Sequence, residues 1–164
     1  MILYDIGMET TGNFESSQIL KHEENLNLSS LTNLEAIEIG ELATKIGLAR
    51  NLPIAIQVQI GEWVVFKAAL PGSKPDNDGW IKRKANVVLL TQHSTMYERV
   101  SAEEAGIDWH LKHGVVDQTH AIHGGGFPLK TSEGLQGILL ISGLPQVEDH
   151  LFAVEVLNLY KNNK

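Results

Sequence analysis

Arg83, Asn86 and His93 stand at i, i+3 and i+10 on one predicted helix, within an arc of about 80° at 100° per residue. A guanidinium, an amide and an imidazole on one stripe can hold a carboxylate. Lys82 and Lys84 flank Arg83 in the early turns, where positive charge opposes the helix macrodipole. Something must compensate for it: the acids Asp76 and Asp78, or an anionic ligand. The same run also reads as a solvated basic face neutralised by those acids.

His123 leads into Gly124, Gly125 and Gly126, which can take positive φ without a Cβ clash. Their N–H groups could converge into an anion-binding nest, or a ligand could approach the chain closely. With Arg83 beside it, such a loop suits a propionate or another small acid; the alternative is a tight turn into the strand at Phe127. Ser142-Gly143-Leu144 opens the closing helix, whose free N–H groups attract anions. Glu148 and Asp149 already bring negative charge there, which complements the dipole or pairs with Arg83 or Lys84. His150, beside Leu151, reads as a packed, hydrogen-bonded imidazole, with a ligand or acid-base role as the alternative. The candidate ligand-binding set is Arg83, Asn86, His93, His123, Gly124, Gly125, Gly126, Ser142 and His150, and no catalytic residue is assigned.

His110, His113, His120 and His123 invite a metal reading, but no cysteine accompanies them and the spacing matches no standard finger, so no metal site is assigned. Asp76-Asn77-Asp78-Gly79 has the look of a calcium loop, yet Val87 stands where the twelfth-position glutamate belongs. It reads better as a helix cap. There is no Gly-x-Ser-x-Gly elbow, Walker loop or dinucleotide fingerprint, and the glycine run precedes a strand rather than a helix.

The elements that must position these groups follow from size and periodicity. A chain of 164 residues, 43% apolar and 20% charged, supports one folded core. Residues 26–164 are expected to form a single domain, with residues 1–25 an extension that includes a short helix around 14–24. A net charge of −7 disfavours nucleic acid and anionic membranes. The absence of cysteine excludes disulfides and thiolate chemistry. Met1 to Thr10 lacks the basic start of a secretory signal, and no apolar run reaches the roughly 18 residues of a membrane span. Cytoplasm is the expected address.

Thr32 and Glu35 form a capping box, so a helix starts there, with Ala36, Ile39, Ala43 and Ile46 on one face and a stop at Asn51-Leu52-Pro53. From Ile54 the period becomes two, giving a half-buried strand that turns at Gly61-Glu62 into a second. An extended piece is expected at residues 26–28. Asp76, Asn77 or Asp78 caps the second helix, with Ile81, Ala85, Val88 and Leu89 sharing a side. Ser101 to Glu104 offers another capping box, for a short helix ended by Gly106 or Gly114; residues 110–123 read as irregular. A second hairpin spans 127–142, and Pro145 opens a closing helix with Leu151, Val154 and Leu157 inward.

Several blocks together resemble a known family. These are Leu70-Pro71-Gly72, Pro75-Asp76-Asn77-Asp78, Trp80 through Val87, His123-Gly124-Gly125-Gly126-Phe127-Pro128, and Ser142 through Gln146 with Glu148-Asp149-His150. In this order, over residues 28–160, they resemble UPF0303, an uncharacterised family whose members are often labelled haem-degrading domain-containing and which is related to the GlcG/HbpS-like group. The resemblance implies an α/β (α+β) profilin-like fold, with a central antiparallel sheet of about five strands flanked by helices, and a homo-oligomer. It also makes haem a candidate cofactor. Of the four clustered histidines, the family blocks keep only His123.

Three functions are therefore weighed. The first is a cytoplasmic oligomeric domain binding a small anionic organic molecule, haem among the candidates, between Arg83, His93, the glycine run and the start of the last helix. The second is an enzyme, haem-degrading or otherwise, using His93, His123 or His150. The third is a scaffold within a homo-oligomer.

Overall fold

The computed structural model describes residues 11–164, so the reading of Met1 to Thr10 as lacking a secretory signal falls outside the described residues. Their elements are α1 (Ser16–Asn25), α2 (Asn33–Ala49), β1 (Ala55–Ile60), β2 (Trp63–Ala69), α3 (Asp76–Thr91), α4 (Thr95–Ala105), α5 (Trp109–His113), β3 (Gly126–Thr131), β4 (Gly134–Ser142) and α6 (Gln146–Asn162). The strands form one antiparallel sheet in the order β2-β1-β4-β3, with helices on both faces, an α+β fold. Among the described residues there are four strands rather than about five. Residues 26–28 make one ladder-like bond, from the Leu28 N–H to the Lys130 carbonyl at 2.8 Å, and pair no further. Among the described residues no helix is long and apolar enough to cross a membrane.

Local chemistry sets the element ends. The Thr32 hydroxyl accepts from the Glu35 N–H and the Glu35 carboxylate from the Thr32 N–H, closing the expected capping box on α2. Gly61 turns the first hairpin at φ 55°. The cap of α3 is Pro75, one residue ahead of the expected acids, and the Asn77 side chain instead accepts from the Lys74 N–H at 2.8 Å. Gln92 at φ 62° ends α3, so His93 has left the helix and the stripe expected with Arg83 and Asn86 is broken. Ser94, not Ser101, caps α4; Ser101 lies inside that helix, bonded to the Tyr97 carbonyl at 2.7 Å. Gly106 and Gly114 end α4 and α5, and α5 gives helical order to part of a region expected to be irregular.

The alternation of β1 has the expected phase but not the expected exposure. Ile54, Ile56 and Val58 pack under α2 and α6, while Ala55 lies with Ile138 and Leu140 under Ile81, Ala85 and Val88 of α3. Both faces are covered. Gln57 and Gln59 are buried there and satisfied in series, Gln57 Nε2 donating to Gln59 Oε1 and Gln59 Nε2 to the Gly61 carbonyl, each at 2.9 Å. On α6 the core side is Phe152, Ala153, Val156, Leu157 and Tyr160, with Leu151 39% exposed. Asp149 and His150 occupy inward positions, so the buried face is rotated from the one that the apolar residues alone suggest.

Helix α1 is held by more than its apolar Ile19, which packs with Met96 and Val100 of α4. Glu23 accepts from the Ser94 N–H and hydroxyl and pairs with His93 Nδ1 at 2.9 Å. His22 Nδ1 and His150 Nε2 share a hydrogen bond of 3.1 Å. Burial, and secondarily His22, pushes the folded His150 down to about 3. Below pH about 6.5 the unfolded imidazole takes a proton that the folded one refuses, so this stability is full above 6.5 and is lost as pH falls towards 3. In urea melts at pH 7 and pH 5 the parent should lose about 2 kcal/mol more than His150→Gln, at about 1.4 kcal/mol per pH unit and proton. Equal losses in the two proteins would refute this.

Candidate functional site

A pocket of about 260 Å³ opens between α3, the start of α6 and the loop entering β3. Trp80 and Lys84 line it from α3, His123 from the loop, and Ser142, Gly143, Leu144, Gln146 and Asp149 from the β4–α6 junction. At its base Lys84 Nζ lies 3.2 Å from the Asp149 carboxylate, their side chains 3% and 2% exposed. Lys84 Nζ also donates to the Ile141 carbonyl at 2.9 Å, and the other Asp149 oxygen accepts from the Leu144 N–H at 3.0 Å. One ion pair thus joins α3, β4 and α6. Burial drives both partners towards their neutral forms: Lys84 moves down, against the pull of Asp149, and Asp149 up to about 6, against Lys84.

The glycine run is there because its backbone crosses this pair. Gly125 has φ 125°, and a Cβ on it would overlap the Ile141 carbonyl oxygen and lie 2.8 Å from Lys84 Nζ and 3.1 Å from Asp149 Cβ. The amides do not form an open nest. The Gly124 N–H donates to Gln146 Oε1 at 3.1 Å and the Gly126 N–H to Thr95 Oγ1 at 3.0 Å.

Three lining groups keep hydrogen-bonding capacity. Ser142 Oγ accepts from Asn77 Nδ2 at 3.3 Å and, among the described residues, has no acceptor for its own hydrogen. Gln146 spends its oxygen on Gly124 and leaves its Nε2 donors unpaired among those residues. His123 has no hydrogen-bond partner among the described residues, whereas His22, His93, His110, His113, His120 and His150 each have one. Its ring meets Trp80 edge-on at 4.7 Å. Burial pushes it down to about 4, with Arg99, Lys84 and Arg83 acting in the same direction and Asp117 opposing. At neutral pH it is an uncharged imidazole, and the three cations near it are each paired with an acid: Arg83 with Asp117, Lys84 with Asp149 and Arg99 with Glu103.

The pocket therefore gathers His123 and Ser142, backed by Gly125, and leaves other expected residues elsewhere. Arg83 donates to the Asp117 carbonyl and carboxylate, both at 2.7 Å, with its guanidinium 4.3 Å from the Trp80 ring centre. Asn86 donates to the Thr119 carbonyl at 2.9 Å. Both pin the segment before His123 onto α3. His93 faces Glu23, which raises its pKa through their hydrogen bond, and stacks on Tyr97; His150 lies inside against His22 and Phe127. The candidate set omitted Trp80, Lys84, Gln146 and Asp149. Lys84 carried a signal: it sits between Ile81 and Val88 on the apolar side of α3, where a cation requires a buried acid.

Breaking a buried pair strands the other charge, so Lys84→Met or Asp149→Leu should each lower unfolding free energy by about 3–5 kcal/mol, and the two together by less than the sum. Chemical denaturation of the four proteins measures the coupling. Additive losses would mean that the two groups act separately.

Comparison with known proteins adds relatives to this geometry. Residues 31–158 match the family model described as "Haem degrading protein HbpS-like". A UPF0303 protein of Streptomyces avermitilis is 36% identical over 139 residues, 84% of this chain and 85% of that protein. One from Rhizobium johnstonii is also 36% identical, over 144 residues, 87% and 88% of the two chains. The crystal structure of Ybr137w protein superposes with a TM-score of 0.83 at 28% identity, covering 92% of this chain and 90% of that one. A structure titled "PduOC:Heme Complex" superposes at 0.67 with 16% identity, covering 79% and 94%, and shows the shared fold.

Proposed function

The chain belongs to the HbpS-like, UPF0303 family, and on that premise we propose that it binds a small anionic organic molecule in the pocket between Trp80, His123 and the start of α6. One observation carries this reading: the unspent groups facing the pocket are the Ser142 hydroxyl, the Gln146 amide donors and a neutral His123, in the field of Arg99, Lys84 and Arg83. Donors without acceptors match the oxygen atoms of a carboxylate. Lys84, Arg83 and Arg99 are matched by Asp149, Asp117 and Glu103, so the attraction comes from directed donors rather than from a bare cation.

Haem is the larger candidate, supported by the family's description and by the relative solved as a haem complex. The residues fit it in part. A neutral imidazole with free nitrogens suits ferric or ferrous iron, and Trp80 offers an aromatic wall. The volume of about 260 Å³ lies below the roughly 300–1,000 Å³ of pockets that enclose drug-sized ligands, so a porphyrin would enter only by an edge. His123 would hold the iron and the Ser142 and Gln146 donors a propionate; haem held there would supply the iron's redox chemistry. A homo-oligomer in the cytoplasm is part of the same reading, supported by Trp63 and Val64 exposed on edge strand β2, where a second copy could cover them.

Titration with acetate, lactate and haem, read by Trp fluorescence and the Soret band, tests this. The parent should bind at least one of the carboxylates, and Gln146→Ala should weaken it about tenfold, the loss of one charge-assisted hydrogen bond. His123→Ala should abolish a Soret shift while leaving carboxylate binding within a few-fold. A parent that gives neither response would overturn the reading.

A further inference from the structure

Lys84 is the one buried lysine among the described residues; every other lysine is exposed or partly exposed. Its burial could serve only to tie three elements together, but Lys84 and its partner Asp149 both line the pocket. Two of its three hydrogens go to the Ile141 carbonyl and the Asp149 carboxylate, leaving one direction unspent. A proton acceptor is already in contact, at 3.2 Å. The neighbouring groups with free capacity are donors suited to a carboxylate.

Resting on the anion-binding reading above, we propose that Lys84 condenses with the carbonyl carbon of a small 2-oxo acid held in this pocket, forming a Schiff base with Asp149 as its proton shuttle. A ligand with a carboxylate next to a carbonyl places its anionic end on Ser142 and Gln146 and its electrophilic carbon towards Nζ. The proton account closes within the pair. Lys84 passes one proton to Asp149 and becomes a free amine, whose lone pair forms the C–N bond as the carbonyl π bond breaks; Asp149 protonates the oxygen. The nitrogen then returns a proton to Asp149, which delivers it to the departing hydroxyl, and water leaves. An ammonium and a ketone become an iminium and water, with the charge opposite Asp149 unchanged and no outside reactant consumed. Burial favours the amine by disfavouring both charged partners together, the arrangement that makes a lysine nucleophilic.

Reductive trapping tests this on the unaltered full chain. Protein incubated with pyruvate and cyanoborohydride is digested, and adducts are mapped by mass spectrometry, the exposed lysines Lys21, Lys45 and Lys82 serving as internal references. Lys84 should carry the dominant adduct, well above all three references, because only there does a held carbonyl meet a lysine amine. Excess lactate, which lacks the carbonyl, should suppress the Lys84 adduct and not the others. Gln146→Ala, away from the buried pair, should reduce Lys84 labelling selectively. Labelling confined to the exposed lysines while lactate still perturbs Trp fluorescence would overturn the Schiff base and leave the anion pocket standing. No Lys84 adduct and no lactate response would remove both.

Discussion

The contact on which the site depends is a salt bridge with almost no access to water. Lys84 and Asp149 come from helices far apart in the sequence, and the pair is held by the Ile141 carbonyl from the sheet and the Leu144 amide from the turn before α6. Burying two charges costs several kcal/mol each before their attraction and hydrogen bonds offset it. That cost gives little net stability and much geometric definition, because a misplaced partner would leave a charge in the interior. The glycine run follows from the pair: a backbone that lies on top of an ammonium and a carboxylate has no room for Cβ at Gly125. The pocket opens beside that crossing, with Lys84 and Asp149 in its lining.

Much of the architecture was legible in the sequence because it rests on local rules. The Thr32–Glu35 box, the Gly61 turn, the glycine stops at Gly106 and Gly114 and the two hairpins depend on neighbours within a few residues, and the family blocks carried the α+β fold. What escaped depends on partners distant in the chain. Arg83 looked available because its partner Asp117 lies 34 residues away, across a segment whose path no periodicity describes. The glycines looked like an anion nest because their amide partners, Thr95 and Gln146, are side chains of other elements. The face of α6 was misplaced because inward polar residues, matched by α1 and α3, do not register as core.

Family membership and site chemistry constrain different things. The match over residues 31–158 and the superposition on Ybr137w protein account for the order of strands and the packing of helices. They leave open which groups within the pocket are spent and which are free. Among the described residues, Arg83, Asn86 and His93 are committed to protein partners, whereas His123, Ser142 and Gln146 retain capacity. Among the described residues the other six histidines each make at least one hydrogen bond, although His150 Nδ1 is buried without a partner, whereas His123 makes none.

Asp149 and His150 are adjacent on α6 and point to different elements, one to Lys84 of α3 and the other to His22 of α1. Neighbouring positions on a helix differ by 100°, so two such anchors hold both the axial position and the rotation of its first turns. A single anchor would allow α6 to roll about its contact with the core. With both in place, the Gln146 amide has a fixed relation to Gly124, and Ser142 to the mouth of the pocket. The N-terminal helix thus bears on the site without lining it. Its Glu23 fixes Ser94 and the start of α4, whose first residue, Thr95, in turn holds the Gly126 amide at the far end of the glycine run. The loop that carries His123 is consequently held before the histidine by Arg83 and Asn86 of α3 and after it, through Thr95, by contacts that lead back to α1.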